Sequence, residues 1–172
     1  MTQLWTRTCK TPIGRLVLVA DDVGLTHILL PDQDDDPPRA RTDTKQPVLA
    51  RAVDELTAWF AGERRAFTVP IATTGTEWQR RVWAAVAAIP FGERRTYAEI
   101  AAAVDRPKAH RAVGLANSRN PIPIVVPCHR VVGSDGALAG YSGGVEAKAW
   151  LLAHEQSIVS AAAPKKARAV GR

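Results

Sequence analysis

The chain has 172 residues, 46% apolar and 23% charged, the proportions of an ordinary globular protein, which exclude a collagen-like, disordered or disulfide-stapled chain. The length suits one ordinary domain or two small ones and excludes a large multidomain enzyme or a long repeat array. The charge is divided: residues 1–75 carry nine Lys and Arg against ten Asp and Glu, whereas residues 76–172 carry fourteen against seven. Four of those cations, Lys165, Lys166, Arg168 and Arg172, sit in the final residues; the second half is where a polyanion would dock, and a solvated basic surface explains the same charge equally well. No apolar run of about 18 residues occurs and no signal-peptide layout opens the chain, so a cytoplasmic protein with no membrane partner is expected. Cys9 and Cys128 are the two cysteines. They are too few for a disulfide framework or a four-thiolate zinc site, so a special cysteine here is special for its reactivity.

In the first half, the apolar stretch from Leu16 to Leu30, split by Asp21, Asp22 and Gly24, predicts two strands joined by a turn. Pro31 to Pro47 has no apolar period and reads as a surface loop, with Asp34, Asp35 and Asp36 as a solvated bend. From Val48 to Ala61, Val48, Leu49, Ala52, Val53, Leu56, Trp59 and Phe60 recur at helical spacing and Gly62 follows as a stop, which makes Trp59 and Phe60 core anchors of a helix. Ala66 to Ile71 reads as a further strand and Ala72 to Gly75 as a linker.

The second half reads as mainly helical. Thr76 with Gln79 three residues on is a capping box, opening a helix with Trp78, Val82, Val86 and Ile89 on one face before Pro90. Thr96 with Glu99 is a second one, opening a helix that runs through Ile100 and Val104 and stops before Pro107. Lys108 to about Asn117 makes another short helix. Two short helices across an Asp105 to Pro107 turn have the layout of a helix-turn-helix, a pattern that any small helical hairpin shares. In the second of them Ala109, Ala112 and Ala116 form a stripe, Gly114 sits inside at a helix cost of roughly 1 kcal/mol, and Arg111 projects from the same turn. A minor groove only about 6 Å wide would need such small residues; equally, the alanines would pack against a neighbouring helix.

Asn120 to Val132 carries the chemistry. Pro123 and Pro127 bound the short β-branched run Ile124 to Val126 and present Cys128 at an abrupt bend. A lone cysteine is commonly a small buried hydrophobe, but His129 and Arg130 supply a cationic neighbourhood that would lower the thiol pKa from about 8.5. Adjacent residues point in different directions, so proton transfer from Cys128 to His129 would run through a water, with a carboxylate elsewhere orienting the imidazole.

Pro127-Cys128-His129-Arg130-Val131 resembles the active-site motif of the O6-alkylguanine-DNA alkyltransferases, the methylated-DNA-protein-cysteine methyltransferase family. The resemblance runs from Gln79 to Glu155, through Phe91-Gly92-Glu93, Thr96-Tyr97, Arg111-Ala112-Val113-Gly114, Asn120-Pro121, Gly140-Tyr141-Ser142-Gly143-Gly144 and Leu151-Leu152-Ala153-His154-Glu155. It is fainter in the first half, through Pro12-Ile13-Gly14 and Leu56 to Gly62. It implies an α/β ribonuclease-H-like N-terminal domain with linker (1–75) and a mainly α-helical DNA-binding and alkyl-acceptor domain containing a helix-turn-helix (76–158); residues 159–172 have no family counterpart, and their alanines, lysines and arginines suggest a disordered basic tail that attracts DNA weakly or has no function.

The resemblance also implies roles. Cys128 would accept the alkyl group in a single-turnover, irreversible reaction, His129 would take its proton through a water, and Glu155 would hold the His129 ring. Tyr97 would hydrogen-bond the flipped guanine. The carbonyls of Cys128 and Val131 would read its amino group, the Ser142 N–H would approach O6, and Pro123 would line the pocket. Arg111 would fill the vacated stack, Asn120 would fix the hinge before the cysteine, and Ala109, Ala112, Ala116 and Asn117 would face DNA. The partner implied is double-stranded DNA containing O6-alkylguanine, bound from the minor groove by a monomer, with cooperativity left open. Base extrusion is required because the alkylated oxygen lies inside the duplex. Some members keep a structural zinc, but Cys9 has no second cysteine nearby and His27 reads as an ordinary histidine, so no metal and no cofactor is expected. Ala139 would restrict bulky alkyl groups. Two other classes are weighed: a cysteine hydrolase, which would need an oxyanion hole, and a helix-turn-helix regulator, which would leave Cys128, Glu155 and Tyr97 without a role.

Overall fold

The computed structural model describes residues 2–33, 38–138 and 140–164. The Asp34 to Asp36 bend, Ala139 and the tail cations named above lie outside the described residues.

The first half is a four-stranded sheet covered by one helix. β1 (Trp5–Thr11) and β2 (Gly14–Ala20) form an antiparallel hairpin in register from Trp5 opposite Ala20 to Thr11 opposite Gly14. Gly14 turns the chain at φ +112°, a conformation glycine alone adopts without strain. β3 (Leu25–Leu29) pairs antiparallel with β2, as the split apolar run predicts. β1 was not foreseen, because its alternation of Thr6, Arg7, Thr8 and Lys10 carries little apolar signal. β4 (Arg41–Thr42) adds parallel to β1 from within the stretch read as loop, giving the order β3-β2-β1-β4.

The helix α1 (Pro47–Phe60) forms where the periodicity placed it. Gln46 caps it by accepting from the Leu49 N–H at 2.8 Å, Pro47 occupies the first turn, and Gly62 follows at φ +77°. Leu49, Ala52, Leu56 and Trp59 are buried against the sheet, whereas Phe60 is only half-buried. Ala66 to Ile71 is not a strand. The N–H groups of Thr68 and Val69 donate to the Glu55 carboxylate at 2.8 and 3.1 Å instead of to a neighbouring strand, leaving a single bridge between Leu25 and Ile71.

The second half holds α2 (Glu77–Ala87), α3 (Tyr97–Ala103), α4 (His110–Ser118) and the long α5 (Val145–Ala162), which continues through residues 159–162 where a disordered tail was expected. Both capping boxes are present, Thr76 with Gln79 and Thr96 with Glu99. α3 ends at Ala103, with Val104 as its cap, and Asp105 makes the turn to α4 at φ +59°. A short parallel pair, β5 (Arg95–Thr96) with β6 (Val131–Val132), ties the start of α3 to the segment after Cys128. The halves are joined by the Ile28 N–H donating to the Pro121 carbonyl at 2.8 Å and by His154 Nε2 bonding the Trp59 carbonyl at 3.0 Å. No helix among the described residues is long and apolar enough to cross a membrane.

Candidate active site

Cys128, His129 and Arg130 occupy one tight 3-10 turn between Pro127 and β6, and all three are buried. The approach to this turn is constrained. Asn120 donates from Nδ2 to the Val126 carbonyl at 2.8 Å and accepts the Ile122 N–H at 3.1 Å, closing a loop around Ile124. Ile124 takes φ +74°, a value that β-branched side chains rarely adopt. The loop is over-determined, as a strained backbone must be to persist.

The carboxylate of Glu155, from α5, is the centre of the polar network. It lies 2.8 Å from His129 Nε2, receives Arg130 Nε at 2.9 and 3.0 Å and Nη2 at 2.7 Å, and accepts the Gly92 N–H at 2.9 Å. Arg130 Nη1 donates to the Ile89 carbonyl at 2.6 Å. Burial disfavours the Glu155 charge, but the hydrogen bonds and charges of His129 and Arg130 outweigh it and hold the carboxyl at about 2. An ionised carboxylate only accepts, so His129 Nε2 carries the hydrogen and Nδ1 keeps a lone pair. That Nδ1 is buried and has no hydrogen-bond partner among the described residues. Burial lowers the His129 pKa against the pull of Glu155, aided by the charges of Arg130 and Lys148, so the ring is neutral and able to accept a proton.

The thiol behaves differently from the sequence expectation. Burial pushes Cys128 up to about 11, despite the opposing effects of an Asn120 hydrogen bond and the Lys148 charge. The nearest cation in sequence, Arg130, is engaged by Glu155 and His129 is neutral, so neither lowers the thiol pKa as adjacency suggested. The resting sulfur is a thiol, which would have to lose its proton to act as a nucleophile.

Around the sulfur, Tyr97 enters from the first position of α3, half-buried, its hydroxyl pKa raised chiefly by burial and further once Cys128 is ionised. Two glycines flank it: a Cβ on Gly114 would lie 3.7 Å from the Tyr97 ring, and one on Gly140 would lie 3.6 Å from its hydroxyl. The Cys128 carbonyl accepts from Asn117 Nδ2 at 3.2 Å and the Val131 carbonyl from Lys148 Nζ at 2.6 Å. The Cys128 carbonyl also accepts the Val131 N–H, so it takes two hydrogen bonds in this structure. Pro123 is buried and Ser142 exposed. On α4, Arg111 and Ala112 are exposed, and Ala109, at its N-cap, is half-buried. Ala116 and Asn117 are 2% and 3% exposed, which corrects the expectation that they face DNA. Ala116 packs in the core, its carbonyl accepting from Trp83 Nε1 at 2.8 Å, and Asn117 points at the cysteine turn.

The sequence reading gave no partner to Arg130 and no role to Lys148. Lys148 is fully buried on the same face of α5 as Leu151, Leu152 and Glu155. A lysine at helical spacing from Leu151 and Leu152 was the signal available. Among the described residues no group of three or more His, Cys, Asp and Glu is placed to hold a metal ion.

Residues 77–157 match the sequence model of the 6-O-methylguanine DNA methyltransferase DNA-binding domain, and residues 4–73 match that of the ribonuclease-like domain of the same proteins. The chain belongs to this family. A methylated-DNA–protein-cysteine methyltransferase of Mycolicibacterium paratuberculosis is 49% identical over 150 residues, covering 87% of this chain and 91% of the relative. The constitutive enzyme of that name from Bacillus subtilis is 45% identical, covering 84% and 91%. Among solved family structures, the Mycobacterium tuberculosis O6-methylguanine methyltransferase superposes with a TM-score of 0.85 at 44% identity, covering 95% of this chain and 96% of that one. The Mycobacterium tuberculosis protein OGT in complex with DNA does so at 0.85 and 45% identity, covering 90% and 94%.

Proposed function

We propose that this protein repairs DNA by transferring an alkyl group from the O6 oxygen of guanine to the sulfur of Cys128, once per molecule. The observation that carries the reading is a buried thiol followed by a neutral histidine whose Nδ1 lone pair is unpartnered and whose other nitrogen is held by Glu155. In the reaction the S–C bond forms as the C–O6 bond breaks, the thiol proton passes through a water to His129 Nδ1, and guanine leaves with the bonding electron pair. Tyr97 hydrogen-bonds the departing base, the carbonyls of Cys128 and Val131 read its amino group, and the Ser142 N–H serves O6, with Pro123 lining the pocket and Asn120 fixing the hinge. A thioether is a poor leaving group, and no second thiol adjoins Cys128 to resolve it.

The basic second half and two short helices across a positive-φ turn support a helix-turn-helix that enters the minor groove through α4. The exposed Arg111 replaces the extruded base in the stack, and the small Ala109 and Ala112 allow close approach. The protein acts as a monomer in the cytoplasm, where both cysteines stay free thiols. The family matches, ending at residue 73 and beginning at residue 77, support a domain division near Gly75.

The test is a titration with a duplex containing one O6-methylguanine. A burst equal to the active protein, with the methyl mass on the peptide holding Cys128, is expected. Continued turnover, or methyl on Cys9, overturns the assignment.

A further inference from the structure

We infer that Asn117 is the side chain that reads the amino group of the alkylated guanine, and is thus a specificity-determining residue of the candidate site. The inference rests on the repair reading above.

Asn117 is the inward-facing polar side chain of α4, where His110, Arg111 and Ser118 are exposed. It is 3% exposed, and its Nδ2 donates to the Cys128 carbonyl at 3.2 Å. That bond fixes the amide, because an amide oxygen turned toward the carbonyl oxygen would repel it. Oδ1 is therefore left beside the cysteine turn, buried and with no hydrogen-bond partner among the described residues. A buried acceptor of this kind calls for a donor.

The other acceptors at the turn are engaged. The Cys128 carbonyl takes the Val131 N–H as well as Asn117 Nδ2, and Asn120 Oδ1 takes the Ile122 N–H. The Glu155 carboxylate is filled by Arg130, His129 and Gly92. Three further buried side-chain atoms lack a partner: Trp59 Nε1, His129 Nδ1 and the Tyr141 hydroxyl. The first only donates, the second receives the thiol proton in the proposed reaction, and the third donates as well as accepts. Asn117 Oδ1 accepts and does nothing else.

Its place in the fold suits a base. Gly114 and Gly140, with Tyr97 and Arg111, line a depression of about 470 Å³ on the surface of the second half. Asn117 follows Gly114 by three residues on α4, so the two share a face. A base moving from this depression toward Cys128 passes the bare Gly114 backbone and comes to the Asn117 amide. The movement that uncovers the sulfur, whose residue is itself 3% exposed, also uncovers the amide that grips the carbonyl of that residue.

The chemistry of the base decides what Oδ1 meets there. Alkylation at O6 takes the hydrogen from N1, so N1, N3 and N7 all accept and the 2-amino group is the sole donor of the base. An oxygen that only accepts therefore reads the amino group. One amino hydrogen goes to Asn117 Oδ1 and the other to the Val131 carbonyl. The Cys128 carbonyl, with two bonds in place, takes no more than a bifurcated share of the first. O6-methylhypoxanthine offers the same reacting carbon and leaving oxygen without the amino group, and would leave Oδ1 unpaired in the closed site.

The experiment measures single-turnover rates on two duplexes that differ only in carrying O6-methylguanine or O6-methylhypoxanthine. The parent is expected to prefer guanine by roughly tenfold or more. Asn117→Leu, close in size and without the acceptor, is expected to bring the ratio of the two rates down by about tenfold through loss on guanine. A purely structural role, through the grip of Nδ2 on the turn, slows both duplexes alike and leaves the ratio in place, as does a water serving as the partner of Oδ1. An unmoved ratio overturns the inference. Should Asn117→Leu not fold, Asn117→Met, whose unbranched chain fits an irregular space, replaces it with the same expectation. Equal rates on the two duplexes in the parent overturn the inference without any variant. Repair of neither duplex by the parent overturns the repair reading and this inference together, whereas repair with a ratio indifferent to Asn117 overturns this inference alone.

Discussion

Arg130 and Glu155 form a two-pronged ion pair, Nε and Nη2 of the guanidinium meeting both carboxylate oxygens at 2.7 to 3.0 Å with the residues 5% and 1% exposed. The pair lets Glu155 remain ionised in the interior, which in turn dictates the tautomer of His129. The proposed proton acceptor is thus set by Arg130, through Glu155.

Glu155→Gln should therefore do two things. It leaves the Arg130 charge buried without its counter-ion, which for such pairs costs about 3 to 5 kcal/mol of stability, and it lets a neutral amide face His129, so that the tautomer is no longer fixed. Denaturant unfolding should show the first loss, and the single-turnover rate at neutral pH should fall with it.

Cys128→Ser should abolish alkyl transfer and leave DNA binding nearly intact, since a serine hydroxyl is far harder to ionise than a thiol. Cys9→Ser should leave transfer unchanged. Peptide mass analysis after reaction checks both.

Arg111→Ala removes an exposed cation and the side chain proposed to fill the stack. Unstacking costs a few kcal/mol, so repair in duplex should fall well below the parent while reaction with free O6-benzylguanine is little changed. Equal losses on the two substrates would assign Arg111 to the pocket or the fold.

Stability should be highest between about pH 6.5 and 9. Below an ordinary histidine value of 6.5 the unfolded chain binds a proton that the folded His129, its pKa lowered by burial, refuses, so stability falls with pH. From 4.5 down to about 2, Glu55 and Glu155 add to the loss in the same way, because both are held at about 2 in the fold. Above 9 the unfolded Cys128 ionises while the folded thiol, at about 11, does not, so stability falls again. Urea midpoints across the range test this, and Cys128→Ser should lessen the alkaline fall, to which Cys9 and Tyr141, also raised by burial, contribute, and leave the acid fall in place.

What the sequence by itself determined is what depends on neighbours along the chain. The capping boxes at Thr76 and Thr96, the apolar stripe of α1 with Gly62 after it, and the split run that makes β2 and β3 are closed by residues three or four positions apart or by a tight turn, so their partners could be read directly. The Cys128-His129 pair, too, was legible from its motif. The tertiary structure decided what depends on partners far along the chain. Ala66 to Ile71 has the composition of a strand, yet Glu55 takes its N–H groups from 13 and 14 residues away. Ala116 and Asn117 were expected on an exposed face, but α2 and the cysteine turn bury them. The thiol was expected to be acidified by Arg130, whose charge is instead matched by Glu155, 25 residues on. Local hydrogen bonds close short loops and leave a signature in residue spacing, whereas burial and ion pairing depend on which distant surfaces meet, and a pKa follows the surroundings that result rather than the adjacent letters of the chain.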